Sequence, residues 1–322
     1  KFSSGGTRVW NSTQDTVYSL GGYAQEIVNI SPQVISDKNN GAIFCWTDKR
    51  PLSLQIGAYI QRVTSSGTFL FPANGTKCSL IDTSIHLNPN ANINSSTNEI
   101  FVFWIETNSL QSLYGVYGQR FSSSGARMWV GSGKIFKPLD QNSTSDIDVF
   151  AKDTNVIVHY DINVYGSSSC HIKAFLTGSS GAFGWSGGPI EVSSKNSSKN
   201  TLSSGITNSG MSILAWGDDR KDIGGIYAQN INYNGNIGPV SVRNIGTGIV
   251  TKYELEQNYP NPFNQITNIK FQITNKSDVS LRLYDVSGRE VATLVNEEFV
   301  AGSYLVRFDA GSLASGVYFY RL

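Results

Sequence analysis

Apolar and polar residues alternate strictly in three stretches near the C-terminus: Ile269, Phe271, Ile273; then Val279, Leu281, Leu283; then Tyr304, Val306, Phe308. A period of two is that of a strand with one buried face. Between these runs stand Asn275-Lys276-Ser277, Ser287-Gly288, Ala301-Gly302 and Ser315-Gly316, residues suited to turns and able in part to take positive φ. Short, evenly spaced strands of this kind suit a small β-sandwich.

Upstream, the pattern repeats about every 57 residues. An aromatic residue is followed two positions on by an acid at Trp46/Asp48, Trp104/Glu106, His159/Asp161 and Trp216/Asp218. A second column holds Tyr59, Tyr117, His171 and Tyr227, each two residues before Gln61, Gln119, Lys173 and Gln229. A third is a turn glycine at Gly6, Gly67, Gly125, Gly181 and Gly235, with Trp10, Phe71, Trp129 and Trp185 four residues after the first four.

Each period has room for about four short strands, in the first at Thr16–Leu20, Gln33–Ser36, Ala42–Thr47 and Ala58–Thr64, with Asp37-Lys38-Asn39-Asn40-Gly41 as a hairpin turn. Repeated units of this composition predict propeller blades, and the large aromatics Trp46, Trp104, His159 and Trp216 then fill the wedges between neighbouring sheets. An open array of stacked sheets uses the same aromatics and stays open as an alternative. Four repeats read as complete, with remnants at Phe2–Trp10 and Pro239–Val242.

The expected fold is therefore all-β: a β-propeller-like repeat domain of four-stranded blades over 1–243, a linker over 244–252, and an immunoglobulin-like β-sandwich over 253–322.

The final segment carries three motifs in order. Leu255-Glu256-Gln257-Asn258-Tyr259-Pro260-Asn261-Pro262-Phe263-Asn264 comes first, then Tyr284-Asp285-Val286-Ser287-Gly288-Arg289-Glu290-Val291, then Leu313-Ala314-Ser315-Gly316-Val317-Tyr318-Phe319-Tyr320-Arg321-Leu322. Together they resemble the type A C-terminal sorting domain of proteins exported by the type IX secretion system of Bacteroidetes-like bacteria. That resemblance implies an immunoglobulin-like sandwich and the type IX machinery as partner. It also implies a location outside the cell or on the outer-membrane surface of a Gram-negative bacterium. The positions matching the motifs are Asn258, Tyr259, Pro260, Asn261, Pro262, Phe263, Gly288, Arg289, Gly316 and Tyr318. Pro260 and Pro262 cannot donate to a ladder, so this segment is expected to run extended over the outside, anchored by Tyr259 and Phe263. Such domains continue past the Tyr-Phe-Tyr-Arg-Leu strand by a turn and one more strand. A chain stopping at Leu322 is expected to leave an open edge along Val317–Tyr320 for strand addition by a second chain, unless the gene product is longer. Likewise, a start at Lys1, with neither Met nor a signal peptide, is expected for an exported protein whose beginning has been removed or lies outside this chain.

Composition agrees with a β-rich extracellular protein: 32 glycines, 11% aromatic and 15% charged residues. The net charge is +1, with 6 Lys and Arg against 8 Asp and Glu from Tyr253 onward, so no basic face points to nucleic acid. Cys45, Cys78 and Cys170 are odd in number and make no disulfide framework; Cys45, beside Trp46, reads as a small buried hydrophobe. No apolar run is long enough for a membrane-spanning helix.

Candidate chemistry is sparse. His86, His159 and His171 are scattered, and nucleophile-elbow, zinc-protease, phosphate-loop and Cys-x-x-Cys motifs are missing. Asp48, Glu106, Asp161 and Asp218 could serve a glycosidase if the repeat aimed them at one point, but an acid recurring in every repeat reads as structural. Serine-rich turns such as Ser122–Trp129 depart from the Asp-box of sialidases. Asp37-x-Asn39-x-Gly41 and the group Asp218, Asp219, Asp222 offer oxygens to calcium yet lack the full spaced set, and read as plain turns. Arg50 after Asp48 and Arg220 after Asp218 read as local ion pairs.

No catalytic, cofactor-binding or metal residue is assigned. The sequence favours a secreted or surface binding or structural protein, with a surface glycan or another protein as partner. Its alternatives are a polysaccharide-active enzyme and a filament subunit joined by strand addition.

Overall fold

The computed structural model describes residues 32–50, 56–220, 224–237, 242–246, 250–264, 266–310 and 313–322. Among them every regular element is a strand. Strands β1 (Gln33–Ser36), β2 (Ala42–Asp48), β3 (Gly57–Val63) and β4 (Thr76–Lys77) form one antiparallel sheet in chain order. The arrangement recurs in β5 (Ile85–Ile93), β6 (Ile100–Thr107), β7 (Tyr114–Phe121) and β8 (Lys134–Asp140). It recurs again in β9 (Ile147–Lys152), β10 (Asn155–Asn163), β11 (Cys170–Thr177) and β12 (Ile190–Ser193). A fourth sheet has three described strands, β13 (Lys199–Ile206), β14 (Ser212–Asp218) and β15 (Gly225–Ile231). This is the propeller-like repeat of four-stranded sheets that the columns predict. The remnant at Phe2–Trp10, the strand at Thr16–Leu20, Gly6, Asp222 and Pro239 to Ser241 lie outside the described residues.

The second strands of the second and third sheets, β6 and β10, are buried on both faces along most of their length, whereas β14 of the fourth sheet leaves Ile213 exposed. On β6, Ile100, Val102 and Trp104 join Ile43, Cys45 and Ile60 of the first sheet in one cluster. Phe101, Phe103 and Ile105 point the other way and join Val156, Val158, Tyr160 and Phe175 of the third sheet. Each fully buried aliphatic or phenyl side chain in these clusters contributes roughly 1.5–3 kcal/mol.

The turn-glycine column holds at the described positions. Gly67, Gly125, Gly181 and Gly235 have φ of 91°, 86°, 69° and 88°, a region where other residues are strained. Each closes a turn by donating its N–H to the carbonyl three residues back. Gln61 and Gln119 connect the other columns. Gln119 Oε1 accepts from the backbone N–H of Arg120 and of Trp129, both at 3.0 Å, while Nε2 donates to the Val130 carbonyl at 2.9 Å. Gln61 does the same for Arg62, Phe71 and Pro72.

The register corrects the third repeat. Trp46 lies opposite Tyr59 and Trp104 opposite Tyr117, with Trp46 stacked on Tyr59 at 6.1 Å. In the third sheet Tyr160, opposite Lys173, belongs to the cluster facing the second sheet. His159 pairs with Ala174 and Asp148 and contacts Phe150 on the opposite face. His159 therefore does not continue the packing column of Trp46 and Trp104, because an offset of one residue in a strand reverses the face. His171 lies opposite Ile162, two residues from Lys173, which holds the place that Tyr59 and Tyr117 hold in the first two sheets.

The C-terminal strands form two sheets. β16 (Val242–Gly246), β17 (Glu254–Leu255), β18 (Ile266–Ile273) and β21 (Gly302–Asp309) make one, in the order β16-β21-β18-β17; β19 (Ser277–Asp285), β20 (Glu290–Phe299) and β22 (Tyr318–Arg321) make the other, in the order β20-β19-β22. The alternating residues of β18, β19 and β21 all enter one core, with Phe271 stacked on Tyr304 at 5.4 Å. Two expectations change here. Asn244, Ile245 and Gly246, read as linker, and Val242, read as part of a further repeat, belong to β16, which pairs with β21. Two glycines in an aperiodic stretch hid that strand. β22 pairs with β19 and is the end strand of its sheet among the described residues.

Candidate functional site

The first C-terminal motif is built around Asn258. Its backbone N–H donates to the Tyr320 hydroxyl at 2.8 Å, and that hydroxyl donates to the Glu256 carbonyl at 2.9 Å. Its side-chain amide donates to Thr267 Oγ1 at 2.9 Å and to the Pro260 carbonyl at 3.3 Å, and Thr267 Oγ1 donates to the same carbonyl at 2.8 Å. Phe263 packs against the sandwich core. Tyr259 does not act as an anchor: its side chain is 79% exposed, while its backbone exchanges hydrogen bonds with Asn268. The buried residue of the pair is Asn258, whose donors would be costly to leave unmet. Pro260 and Asn261, between Asn258 and Phe263, are exposed.

The second motif is a turn organised by Asp285. Its Oδ1 accepts from the N–H groups of Ser287 and Arg289 at 2.9 and 3.1 Å, and Oδ2 receives Arg289 Nε at 3.0 Å. The Ser287 hydroxyl bond is the main reason that the Asp285 carboxyl lies below its ordinary range. Gly288 has φ of 82°. In the third motif Gly316 precedes Tyr318, whose hydroxyl donates to the Ala314 carbonyl at 2.8 Å.

The acids of the repeat columns are largely consumed by local bonds. Trp104 Nε1 donates to Glu106 Oε2 at 2.7 Å, and His86 Nε2 lies 3.2 Å from the same oxygen. Trp216 Nε1 donates to Asp218 Oδ2 at 3.0 Å and Arg220 Nε at 2.9 Å, with Lys199 Nζ 3.8 Å away. Burial raises the Asp218 pKa, but the bonds from Arg220, Trp216 and Ser197 outweigh it and hold the carboxyl well below the usual range. Asp48 receives Arg50 Nε at 3.4 Å, and that guanidinium lies 3.6 Å from the Tyr59 ring centroid. The Asp37 turn is closed similarly, Oδ1 accepting from Asn39 and Gly41 while Oδ2 meets Arg62 at 3.2 Å. Asp219 accepts from the Ser198 N–H at 2.9 Å. Among the described residues no group of His, Cys, Asp and Glu is arranged to hold a metal ion.

Asp161 differs, as the shifted register requires. It caps the start of β9, accepting from the N–H groups of Ser145 and Asp146 at 2.7 and 2.8 Å, from Ser145 Oγ at 2.6 Å and from Asn163 at 2.8 Å. Beside it opens a cavity of about 160 Å³ lined by Asp146, Asp161, Ile172, Asn200, Thr201 and Trp216, with Ser145, Cys170, Lys199 and Leu202 completing the wall. The ammonium of Lys199 is occupied by the carbonyls of Cys170 and Lys195 and by Ser197 Oγ, at 2.6, 2.7 and 2.9 Å. Burial, and then Asp161, push the Asp146 carboxyl up. Asp148, also raised by burial, receives Ser204 Oγ at 2.5 Å and Asn90 Nδ2 at 3.5 Å. Sequence reasoning missed this group. Its available signal was that Asp146 and Asp148 recur in no other repeat.

The buried Asn258 knot and the Asp285 turn are both set on the two-sheet C-terminal sandwich. Residues 257–322 match the family model described as the secretion system C-terminal sorting domain. A type IX sorting domain of this kind engages the type IX secretion machinery and directs export, so the chain is delivered to the cell surface or the extracellular space. No curated protein matches the chain in sequence. Among solved structures it is similar to the endo-arabinase from Bacteroides thetaiotaomicron, at 11% identity and a TM-score of 0.42 over 65% of this chain and 77% of that one. It is also similar to the family 43 glycoside hydrolase YxiA of Bacillus licheniformis, at 11% identity and 0.44 over 87% and 83%. An endo-1,5-alpha-L-arabinanase from Thermotoga petrophila scores 0.42 at 11% identity over 86% and 82%. No activity follows from likeness at this level.

Proposed function

We propose that this exported protein is a binding module of the cell surface rather than a polysaccharide hydrolase, with a repeat part ending before Val242 and a sorting domain beginning at β16. The observation that carries this reading is the use of the carboxylates. A glycosidase needs two carboxyl groups free to meet one sugar bond at about 5–10 Å separation. Glu106 and Asp218 are tied to the indoles of their own repeats, and both oxygens of Asp161 are taken by protein donors. Asp146 is left as a single accessible acid in the cavity, enough to hold a ligand but not to supply both an acid and a base.

The purified protein tested in parallel on a glycan array and in a polysaccharide hydrolysis screen decides the matter. Binding without turnover is expected. Turnover of any polymer that disappears on replacing one Asp or Glu would overturn the reading.

A further inference from the structure

Resting on that reading, we propose that the cavity beside Asp161 is the ligand site and that it receives one uncharged sugar ring of a glycan. At about 160 Å³ it has the volume of roughly five waters in bulk. That suits a single ring, whereas sites for drug-sized ligands run to several hundred Å³.

The lining has the two characters that a sugar presents. Leu202 and the small accessible part of Trp216 offer apolar surface to the C–H face of a ring, and Asp146, Asn200 and Thr201 offer polar groups to its hydroxyls. Lys199 and Asp161 are buried or engaged within the protein, whereas the Asp146 carboxylate, which accepts from the Leu202 backbone, is exposed and is the charged group a ligand can reach. A sugar hydroxyl pair can donate to it. A uronic or sialic carboxylate would meet Asp146 and Asp161 together, and like charges at that range repel.

Two local features mark the mouth of the cavity as built. Thr201 has φ of 52°, a strained conformation for a β-branched residue and one that persists only where its surroundings impose it. Asn200 reaches over Gly217 so closely that a Cβ there would overlap its side-chain oxygen. The corresponding positions between aromatic and acid are Thr47 and Ile105 in the first two sheets, so the small residue is peculiar to the sheet that carries Asn200.

The test is titration of the whole protein with methyl glycosides of neutral hexoses and pentoses, with methyl glucuronide as the anionic comparison, followed by ligand-observed NMR. Millimolar binding of at least one neutral glycoside is expected, weakened tenfold or more by Asp146→Ala and abolished by Asn200→Trp, which fills the mouth. Both side chains are solvent-exposed, and an unchanged thermal midpoint confirms folding; Asp146→Asn serves if the alanine variant is unstable. Neutral binding that survives both substitutions would remove the cavity as the site while leaving the binding module intact. Equal affinity for the glucuronide, or no binding by any glycoside, would also overturn the proposal. Hydrolysis of a glycoside would instead overturn the reading on which it rests.

Discussion

Tyr160 stands in the third sheet where Trp104 stands in the second: each faces the preceding sheet from the central strand, one opposite Lys173 and the other opposite Tyr117. Both are essentially fully buried. Tyr160→Ala and Trp104→Ala are therefore expected to destabilise the repeat by comparable amounts, about 3–5 kcal/mol each, measured by urea unfolding followed through tryptophan fluorescence or far-UV dichroism.

His159, on the other face, has a distinct signature. It is 0% exposed, and burial depresses its pKa from 6.5 to about 3. The unfolded chain takes up the proton first, so the stability associated with neutral His159 is complete above about pH 6.5 and falls as the pH drops, by about 1.4 kcal/mol per unit, until the folded ring protonates near pH 3. The unfolding free energy of wild type should fall relative to that of His159→Leu as the pH drops across that window; parallel curves would remove His159 as the titrating group.

Gln119 joins strand β7 to the Trp129 anchor through three backbone bonds. Gln119→Met keeps the volume and leaves buried backbone groups unmet. The expected loss is about 1–3 kcal/mol, and a shift of less than 0.5 kcal/mol in equilibrium unfolding would contradict this account.

In the sorting domain, a Cβ at Gly288 would meet no atom within 4 Å, so its φ of 82° alone sets the cost of substitution. Gly288→Ala should destabilise the isolated sandwich by about 1–2 kcal/mol, and Gly288→Asn by less, since Asn tolerates that conformation. Melting temperatures of the wild type and the two variants check the order.

The boundary of the exported tail is testable by truncation. A reporter joined at residue 242 keeps β16 on β21, whereas one joined at 253 removes it. The longer tail should bring more reporter to the surface of type IX-competent cells and resist protease better; equal behaviour would show that β16 adds nothing.

How far the sequence reaches depends on what each feature rests on. Turn glycines are forced by backbone sterics, so Gly67, Gly125, Gly181 and Gly235 could be read directly. The alternation through Ile269–Phe308 was equally legible, because one-sided burial imposes it. The third repeat was not, since His159 and Asp161 imitate the aromatic-x-acid spacing and only the ladder reveals that Tyr160 fills the packing place. The cavity was hidden for another reason: Asp146, Asn200 and Trp216 are far apart in the chain and meet through tertiary packing.

The pairing of β16 with β21 also bears on what a cut in the chain just beyond β16 would do. Hydrolysis of a peptide bond between residues 247 and 253 would sever the chain, yet the upstream fragment would still own a strand laid into the sandwich sheet through Val242, Arg243, Asn244 and Gly246. Passenger and tail would remain clasped, and parting them would require that strand to be peeled from its neighbour, making release a matter of force or local melting as well as of proteolysis.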